Sequence, residues 1–192
     1  FNTTISDQQA NGPDAKLTVI QFDSQDPAAV MCAGIPILEM NRLDRSTYQP
    51  RGGTPLLDAT GLLIGRIRGE QSARVANGLA EEDVVFITIT DGQENQSREY
   101  NLTKITQLIN ECKAAGWTFV YMSADLNAYA DAAAMGYDRG STQHFAATAD
   151  GAGKAFTSMS RNMSNMRDKK RRMEEFDSRE FFETGKDAEE NS

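Results

Sequence analysis

The sequence predicts an α/β fold in which a mostly parallel central sheet carries helices on both faces. Strand-like and helix-like segments alternate from residue 54 onward, which is the pattern that parallel sheets with helical crossovers produce. Residues 83–90 are almost continuously apolar, as expected for a strand that is buried on both faces. The chain has 192 residues, of which 39% are hydrophobic, and this is enough for one domain with a filled core.

Two further strands precede the alternating region. Residues 17–22 and 29–35 are rich in apolar and β-branched side chains, which favour extended structure. The turn between them, at 23–27, is too short to hold a helix, so the two strands must be antiparallel. The sequence therefore predicts one antiparallel strand at an edge of the sheet, after a helical segment at 1–10.

Helical periodicity and glycine breaks locate the other elements. Gly116 and Gly136 each follow a helical pattern, which is where a helix commonly ends. The last helix carries a methionine stripe from Met159 to Met173, which we expect to pack against the sheet rather than to form an exposed docking surface. The predicted helices span 55–67, 98–115, 127–135 and 151–176, and the predicted strands span 117–122 and about 144–145.

The carboxyl-terminal part differs in composition from the rest. A basic run at 167–172 is followed by many acidic residues, which is typical of a solvated helix end and a disordered tail. We therefore predict one domain at 1–176 and an acidic, disordered tail at 177–192. Phe181 and Phe182 form an apolar pair within this tail, where they are expected to be exposed.

Charge and side-chain inventory exclude several classes of function. The net charge of −8 argues against a nucleic-acid-binding protein, whose surface would be basic. Two cysteines and a single histidine cannot supply a Cys/His zinc site, and both thiols are expected to be buried and reduced. No apolar run approaches the roughly 20 residues that a membrane-spanning helix needs. No nucleophile–base pair or cofactor loop is evident, so we do not expect an enzyme.

Two loops that follow predicted strands carry oxygen ligands. The first contains Gly53 and Thr54 and leads into a helix, and the second begins with Asp91 and Gly92 at the end of a strand. A hydroxyl and a carboxylate are hard oxygen ligands of the kind that Mg²⁺ binds, with water in its remaining positions. In parallel sheets the working site lies at the carboxyl ends of the strands. The sequence therefore predicts a cation site at this edge.

These two loops resemble the second and third parts of the metal-ion-dependent adhesion site of von Willebrand factor type A domains. The resemblance rests on GGTPLLDA at 52–59 and on a hydrophobic strand that ends in TDGQEN at 90–95. It continues through 97–100, 115–117 and 145–148, so it covers most of the chain. The sequence is most similar to stand-alone bacterial or phage members of this family.

The resemblance implies a Rossmann-like fold of three layers that acts as a metal-dependent protein-binding module. Thr54 would be the hydroxyl ligand, and Asp91 would be the aspartate that holds the ion, often through water. The ion would be Mg²⁺ or Mn²⁺. An Asp or Glu carboxylate of a protein partner would complete its coordination.

The same resemblance implies where a partner would bind and in what setting. Gly53, Gly92, Glu94 and Asn95 would form the partner-binding loop around the ion. Family members of this kind often serve multiprotein machines, so we expect the chain to work as a subunit of a larger assembly. The expected location is the cytoplasm, or the virion if the chain is encoded by a phage.

One part of the family pattern is missing from the sequence. The first metal motif, D-x-S-x-S, follows the first strand of the family, and neither occurs in the 192 residues. Residues 23–26 resemble the motif, but the family alignment places them at the end of the second strand. In the sheet, the missing strand would lie between the strands at 17–22 and 83–90. In the sequence, it would precede Phe1. Either the sequence omits residues, the strand comes from another chain, or the chain is a fragment; we favour omission.

Simpler interpretations of the same residues stay open. Asp91 and Gly92 could form only a turn, Thr54 could be a helix N-cap, and Asp58 is expected to be a capping or solvent-exposed carboxylate. One alternative function is a structural subunit with a degenerate metal site. Another is an enzyme in which Asp91 binds Mg²⁺ for phosphoryl transfer, although such a site would want a second carboxylate where this chain has Ile89.

Overall fold

The described part of the chain has a mixed α/β architecture. The structure is a computed structural model that describes residues 1–44, 46–49 and 51–182. Its helices are α1 (Asn2–Ala10), α2 (Leu56–Ala76), α3 (Leu102–Ala114), α4 (Ala128–Met135) and α5 (Ala149–Arg171). Its strands are β1 (Lys16–Gln21), β2 (Ala29–Pro36), β3 (Val85–Thr90), β4 (Thr118–Ser123) and β5 (Thr142–His144).

The strands form two sheets instead of one. β1 and β2 pair antiparallel, with Lys16 opposite Pro36, as the short turn between them predicts. β3, β4 and β5 form a parallel sheet in that order, with Val85 of β3 opposite Thr118 of β4. Among the described residues, β1 and β3 do not pair, so the single sheet expected from the sequence is split into two at this point.

This division explains an error in the prediction for residues 83–90. We expected a strand buried on both faces, but on β3 only Phe86, Thr88 and Thr90 are fully buried. Every residue of β4, in contrast, is buried. β4 has a partner strand on each side, whereas one edge of β3 borders a cavity of about 380 Å³. β4 is therefore the central strand of the parallel sheet.

Helices cover both faces of the parallel sheet, as predicted. Side chains alternate along β4, so Phe119 and Tyr121 face one core while Val120 and Met122 face the other. Residues of α2, α3 and α4 close the first core, and residues of α5 close the second. α1 packs outside the sheet against α5. The described residues thus form a helix layer, a sheet layer and a second helix layer.

The last helix is shorter than predicted. α5 begins after its N-cap Thr148 and ends at Arg171. Met173 has a positive φ of 56°, which is incompatible with a continuing helix, and its side chain is 95% exposed. Met159 and Met166 are buried as predicted. The methionine stripe therefore packs on the sheet only as far as the helix extends.

The first residues of the predicted tail pack against the domain. Phe181 and Phe182 are each 1% exposed and belong to the second core, so the prediction of an exposed pair is wrong. The backbone N–H of Phe182 donates to the carbonyl of Gly140, shortly before β5, at 2.9 Å. Residues 177–182 are therefore part of the folded unit. The rest of the predicted tail, 183–192, lies outside the described residues.

Replacing Phe182 with alanine should lower the free energy of unfolding by about 3–5 kcal/mol, the usual cost of emptying a buried phenylalanine site. Met173→Ala is the matched control, because its side chain is almost fully exposed, and it should change stability by less than about 0.5 kcal/mol. Urea unfolding monitored by circular dichroism measures both values. Equal stabilities of the two variants would contradict the packing of this segment.

Candidate functional site

The two loops that carry the predicted metal ligands lie side by side at the carboxyl edge of the parallel sheet. Asn95, in the loop after β3, makes two hydrogen bonds to the loop that carries Thr54. Its side-chain oxygen accepts a hydrogen bond from the backbone N–H of Thr54 at 3.0 Å, and its own backbone N–H donates to the Thr54 carbonyl at 3.1 Å. A Cβ placed on Gly92 would lie 3.2 Å from Thr54 Oγ1. The structure therefore brings Thr54 next to the turn that contains Asp91.

The carboxylate of Glu94 caps the start of α2. The first N–H groups of a helix lack partners within the helix, and Pro55, which precedes α2, supplies no side-chain cap. Glu94 Oε2 accepts from the backbone N–H of Leu57 at 2.9 Å, and Oε1 accepts from those of Gln96 and Ser97 at 2.9 and 2.8 Å. Its negative charge also suits a helix start. Glu94, predicted in the partner-binding loop, therefore uses its carboxylate to hold that loop together.

The carboxylate of Asp58, in the first turn of α2, holds the next part of the same loop. It is 4% exposed and accepts from the backbone N–H groups of Arg98, Glu99 and Tyr100 at 2.7, 2.9 and 2.8 Å. Burial alone would raise the pKa of Asp58, but these hydrogen bonds together lower it below its ordinary value of 3.8. Asp58 is therefore neither solvent-exposed nor the cap of a helix, as the two expectations had it: it is a buried carboxylate that holds the loop at 98–100. Because the bonded residues form a turn, α3 begins at Leu102, later than predicted.

Thr54 and Asp91 keep oxygen atoms that no other described residue binds. Thr54 does not cap α2, since the N-cap position is Pro55 and no side chain there accepts a hydrogen bond. Within residues 1–44, 46–49 and 51–182, the Thr54 hydroxyl makes no hydrogen bond, and the exposed Asp91 carboxylate makes neither a hydrogen bond nor an ion pair. Both groups are therefore available to an external ligand.

A third loop, which follows β1, reaches the same edge of the structure. The backbone N–H of Ser24 donates to the carbonyl of Gly52 at 3.1 Å. Asp23 is buried: its Oδ1 accepts from the backbone N–H of Gln25 at 2.8 Å, and its Oδ2 lies 2.9 Å from Arg51 Nε. Although this segment resembles the missing metal motif, the Asp23 carboxylate is engaged within the protein.

Gly53 is required where these loops meet. Its φ is +90°, a conformation that residues with a side chain rarely adopt. A Cβ at this position would also lie 2.7 Å from the Cβ of Ser24, which is closer than two carbon atoms that are not bonded to each other can approach. The glycine thus allows the segment that presents Thr54 to pack closely against the loop after β1.

The free donors at this edge form a partial set for a hard cation. Mg²⁺ prefers oxygen ligands in an octahedron and usually keeps several waters, so the Thr54 hydroxyl and the Asp91 carboxylate fit it chemically. No group of three or more His, Cys, Asp or Glu side chains that could hold an ion occurs in the described part of the chain. An ion at this edge would therefore depend on two protein side chains together with water or an external ligand.

Sequence reasoning missed the structural roles of Glu94 and Ser97. The bonds within the turn from Glu94 to Ser97 are local, because the Glu94 carboxylate accepts the N–H groups two and three residues later. The bonds from these two residues to the start of α2, in contrast, cross 37 and 39 positions of sequence. No local spacing connects such partners, so only the tertiary structure identifies them.

Comparisons of the chain with protein-family models, with curated proteins and with solved structures give no match. In the part of the chain that the structure describes, no helix has both the length and the apolar character needed to cross a membrane.

Asp58→Asn should lower the free energy of unfolding by about 1.5–3 kcal/mol at pH 7, because the amide cannot accept the hydrogen bond that Arg98 donates to Oδ2. The pKa of Asp58 is lowered on folding, so its contribution is complete above its ordinary value of 3.8 and is lost as the pH falls through the folded value. The difference between the native chain and the variant should therefore shrink below about pH 4. Glu99→Gln, an exposed site with the same change in charge, is the control. A pH-independent difference in urea unfolding would refute the role of the charge.

Gly53→Ala should destabilise the protein by at least about 1–2 kcal/mol, the cost of forcing a side chain into a left-handed conformation, with the clash against Ser24 in addition. Gly52→Ala is a matched control one residue away, because no atom lies within 4 Å of its Cβ position. Thermal unfolding of both variants measures the effect. A loss of stability that is equal at the two positions would show that the turn at Gly53 is not constrained in this way.

Proposed function

We propose that this chain is a metal-dependent protein-binding module of the von Willebrand A type, with a Rossmann-like α/β fold. Thr54 and Asp91 would hold Mg²⁺ or Mn²⁺ at the carboxyl edge of β3. One observation carries the proposal. Of the candidate oxygen ligands at this edge, Asp58, Glu94 and Asn95 are bound within the protein, whereas Thr54 and Asp91 are free among the described residues.

The hydrogen bonds that hold the loops together support this role. The bonds of Glu94 and Asn95 connect the loop after β3 to the start of α2, so the two free oxygen groups are carried on loops that are held to each other. Donors whose positions are set before binding lose less conformational entropy when they take up an ion. Gly92 carries no side chain, and a Cβ there would lie 3.2 Å from Thr54 Oγ1, so the glycine leaves the Thr54 hydroxyl open to a ligand.

The charge of the chain explains why an ion would be needed. The net charge is −8, so a partner carboxylate that approaches the exposed Asp91 is repelled in the absence of a cation. A bound divalent ion supplies a positive charge and open coordination positions to which a carboxylate oxygen binds. Affinity for such a partner is then expected to depend on the divalent ion. The chain would act in this way as one subunit of a larger assembly.

The alternative is a structural subunit whose metal site is degenerate. The observation that favours it is the absence, among the described residues, of any group of three or more potential His, Cys, Asp or Glu ligands. In this case the free Asp91 would be only an exposed turn residue after β3. Metal binding distinguishes the two functions, because a degenerate site does not concentrate an ion at Thr54 and Asp91.

Addition of Mn²⁺ to the native chain should broaden the NMR signals of the amides closest to the ion, at Thr54 and Gly92, through paramagnetic relaxation. This method detects the weak affinity that two protein ligands provide. Asp91→Ala should remove the broadening, since it deletes the charged ligand. Mg²⁺ should reverse the broadening in the native chain by competition for the same oxygen donors.

Asp125→Asn is the control for this experiment. Asp125 also follows a strand at the same edge of the sheet, but its carboxylate is engaged by the side chain of Gln93 and the backbone of Asn127. Broadening that persists in Asp91→Ala and disappears in Asp125→Asn would move the ion to the other carboxylate. An absence of local broadening in the native chain would support the degenerate site.

A further inference from the structure

Residues 177–182, the docking segment, lie after α5 in a seat that the domain forms for them. Phe181 and Phe182 are each 1% exposed and pack in the second core. The hydroxyl of Ser141, a fully buried residue, donates to a backbone carbonyl of the docking segment at 2.6 Å. The backbone N–H of Phe182 donates to the carbonyl of Gly140 at 2.9 Å. The seat thus consists of Gly140, Ser141 and the residues of the second core that β4 and α5 supply.

The seat fits the backbone of the docking segment closely at Gly140. A Cβ placed on this glycine would lie 2.5 Å from the carbonyl oxygen of Arg179, which is closer than a carbon and an oxygen that are not bonded to each other can approach. Arg179 pairs with Asp177 at 2.7 Å within the docking segment, so this ion pair moves with the segment. A side chain at position 140 would therefore exclude the docking segment, whereas the native glycine admits it.

The connection between α5 and the docking segment is strained and exposed. The backbone N–H of Met173 donates to the carbonyl of Lys170 at 3.0 Å, and that of Glu174 donates to the carbonyl of Lys169 at 2.9 Å. This pair of bonds is the Schellman motif, in which the residue with positive φ is usually glycine. Here it is Met173, with a φ of 56°, and because its side chain is 95% exposed, packing does not offset the strain. Residues 171–175 are all exposed, so the connection is free to rearrange.

The sequence of this connection favours a longer helix than the one observed. Residues 172–176 contain neither glycine nor proline, and Arg, Met and Glu are among the better helix formers. In a continuing helix, Lys170 and Glu174 would form an attractive pair of charges four residues apart. Met173 would lie seven residues after the buried Met166, on the same helix face. Two local states therefore compete here: the observed turn, with its strained methionine, and an extended α5 without that strain.

An extended α5 would carry the docking segment away from the seat of its own chain. Exposure of two buried phenylalanines to water costs more than the relief of one strained residue returns. This cost disappears when the docking segment enters the seat of a second copy, because the same contacts then form again. Exchange of an identical element is a low-cost route to a dimer, and short hinges under strain favour it.

We propose that two copies of the chain exchange their docking segments. In each copy α5 extends through the hinge at 172–176, and Phe181 and Phe182 fill the seat of the other copy. The exchange is reciprocal, so both seats are filled and the dimer is closed by a two-fold axis. Each dimer contains two hinges from which the strain has been removed. Thr54 and Asp91 take no part in the exchange, so the dimer does not depend on the proposed metal site.

Analytical ultracentrifugation of the full chain tests this exchange, with a chelator present to remove divalent ions. After incubation just below the unfolding temperature, which allows segments to detach, the native chain should show a dimer that increases with concentration. Met173→Gly should lower the dimerisation constant by at least about 100-fold, because glycine fits the turn and disfavours the longer helix, and each dimer has two hinges. Met173→Ala is the matched control: it keeps both the strain in the turn and the helix propensity, so its dimerisation constant should stay within about tenfold of the native value.

A pair of complementary variants shows which parts the two copies share. Gly140→Ala blocks the seat but keeps a native docking segment, and Phe182→Ala weakens the docking segment but keeps a native seat. Neither variant alone should form the dimer. An equimolar mixture should form mixed dimers, detected by their mass in native mass spectrometry, because one native segment then meets one native seat. If either variant does not fold, the comparison of Met173→Gly with Met173→Ala still decides the proposal.

The proposal is wrong if the native chain stays monomeric up to its solubility limit after the incubation. It is also wrong if Met173→Gly dimerises as strongly as the native chain, since the dimer would then be held by a different surface. Folded Gly140→Ala and Phe182→Ala variants that form no mixed dimer would overturn it as well. Because divalent ions are removed throughout, none of these results bears on metal binding at Asp91.

Discussion

The parallel pairing of β3 with β4 is the constraint on which the other parts of the structure depend. β4 is buried along its whole length, and its alternating side chains supply both cores: Phe119 stacks with Phe86 of β3 in the first, and Val120 packs with the residues of α5 in the second. The register that places Thr90 opposite Ser123 also fixes where β3 ends. The position of the loop that carries Asp91 follows directly from that register.

Carboxylates in and around this loop have contrasting environments. Asp58 and Glu94 accept several hydrogen bonds each from backbone N–H groups, so their charges stabilise the loop itself. Asp91, which begins the same loop, is exposed and has no partner in the described residues. A carboxylate that stabilises a loop cannot readily exchange its partners for an ion, whereas an exposed and unpaired one can. Burial and hydrogen bonding thus separate the carboxylates that are engaged within the protein from one that is free among the described residues.

The sequence alone predicted the parts of this structure that depend on local patterns. The short turn at 23–27 implied that β1 and β2 are antiparallel. Because both loops follow predicted strands, Thr54 and Asp91 were expected at the same edge of the sheet, and the structure has their loops side by side there. Prediction from the sequence failed where the burial of a residue depends on partners that are distant in the chain. The apolar run at 83–90 resembles a central strand, yet among the described residues β3 has no neighbouring strand on one side. Phe181 and Phe182 were assigned to a tail by the composition around them, which carries no information about the core that buries them.

The start of α2 has a consequence for the order in which the chain folds. Its first N–H groups are bonded by Glu94 and Ser97, which lie 37 and 39 residues later in the sequence. Closing such a loop costs entropy before its contacts form, so the first turn of α2 stays frayed until β3 has docked and its loop has turned back. The helix start, the loop and the pair of free oxygen groups then form in one cooperative step. The candidate binding site therefore cannot assemble before α2 and the loop after β3 have come together.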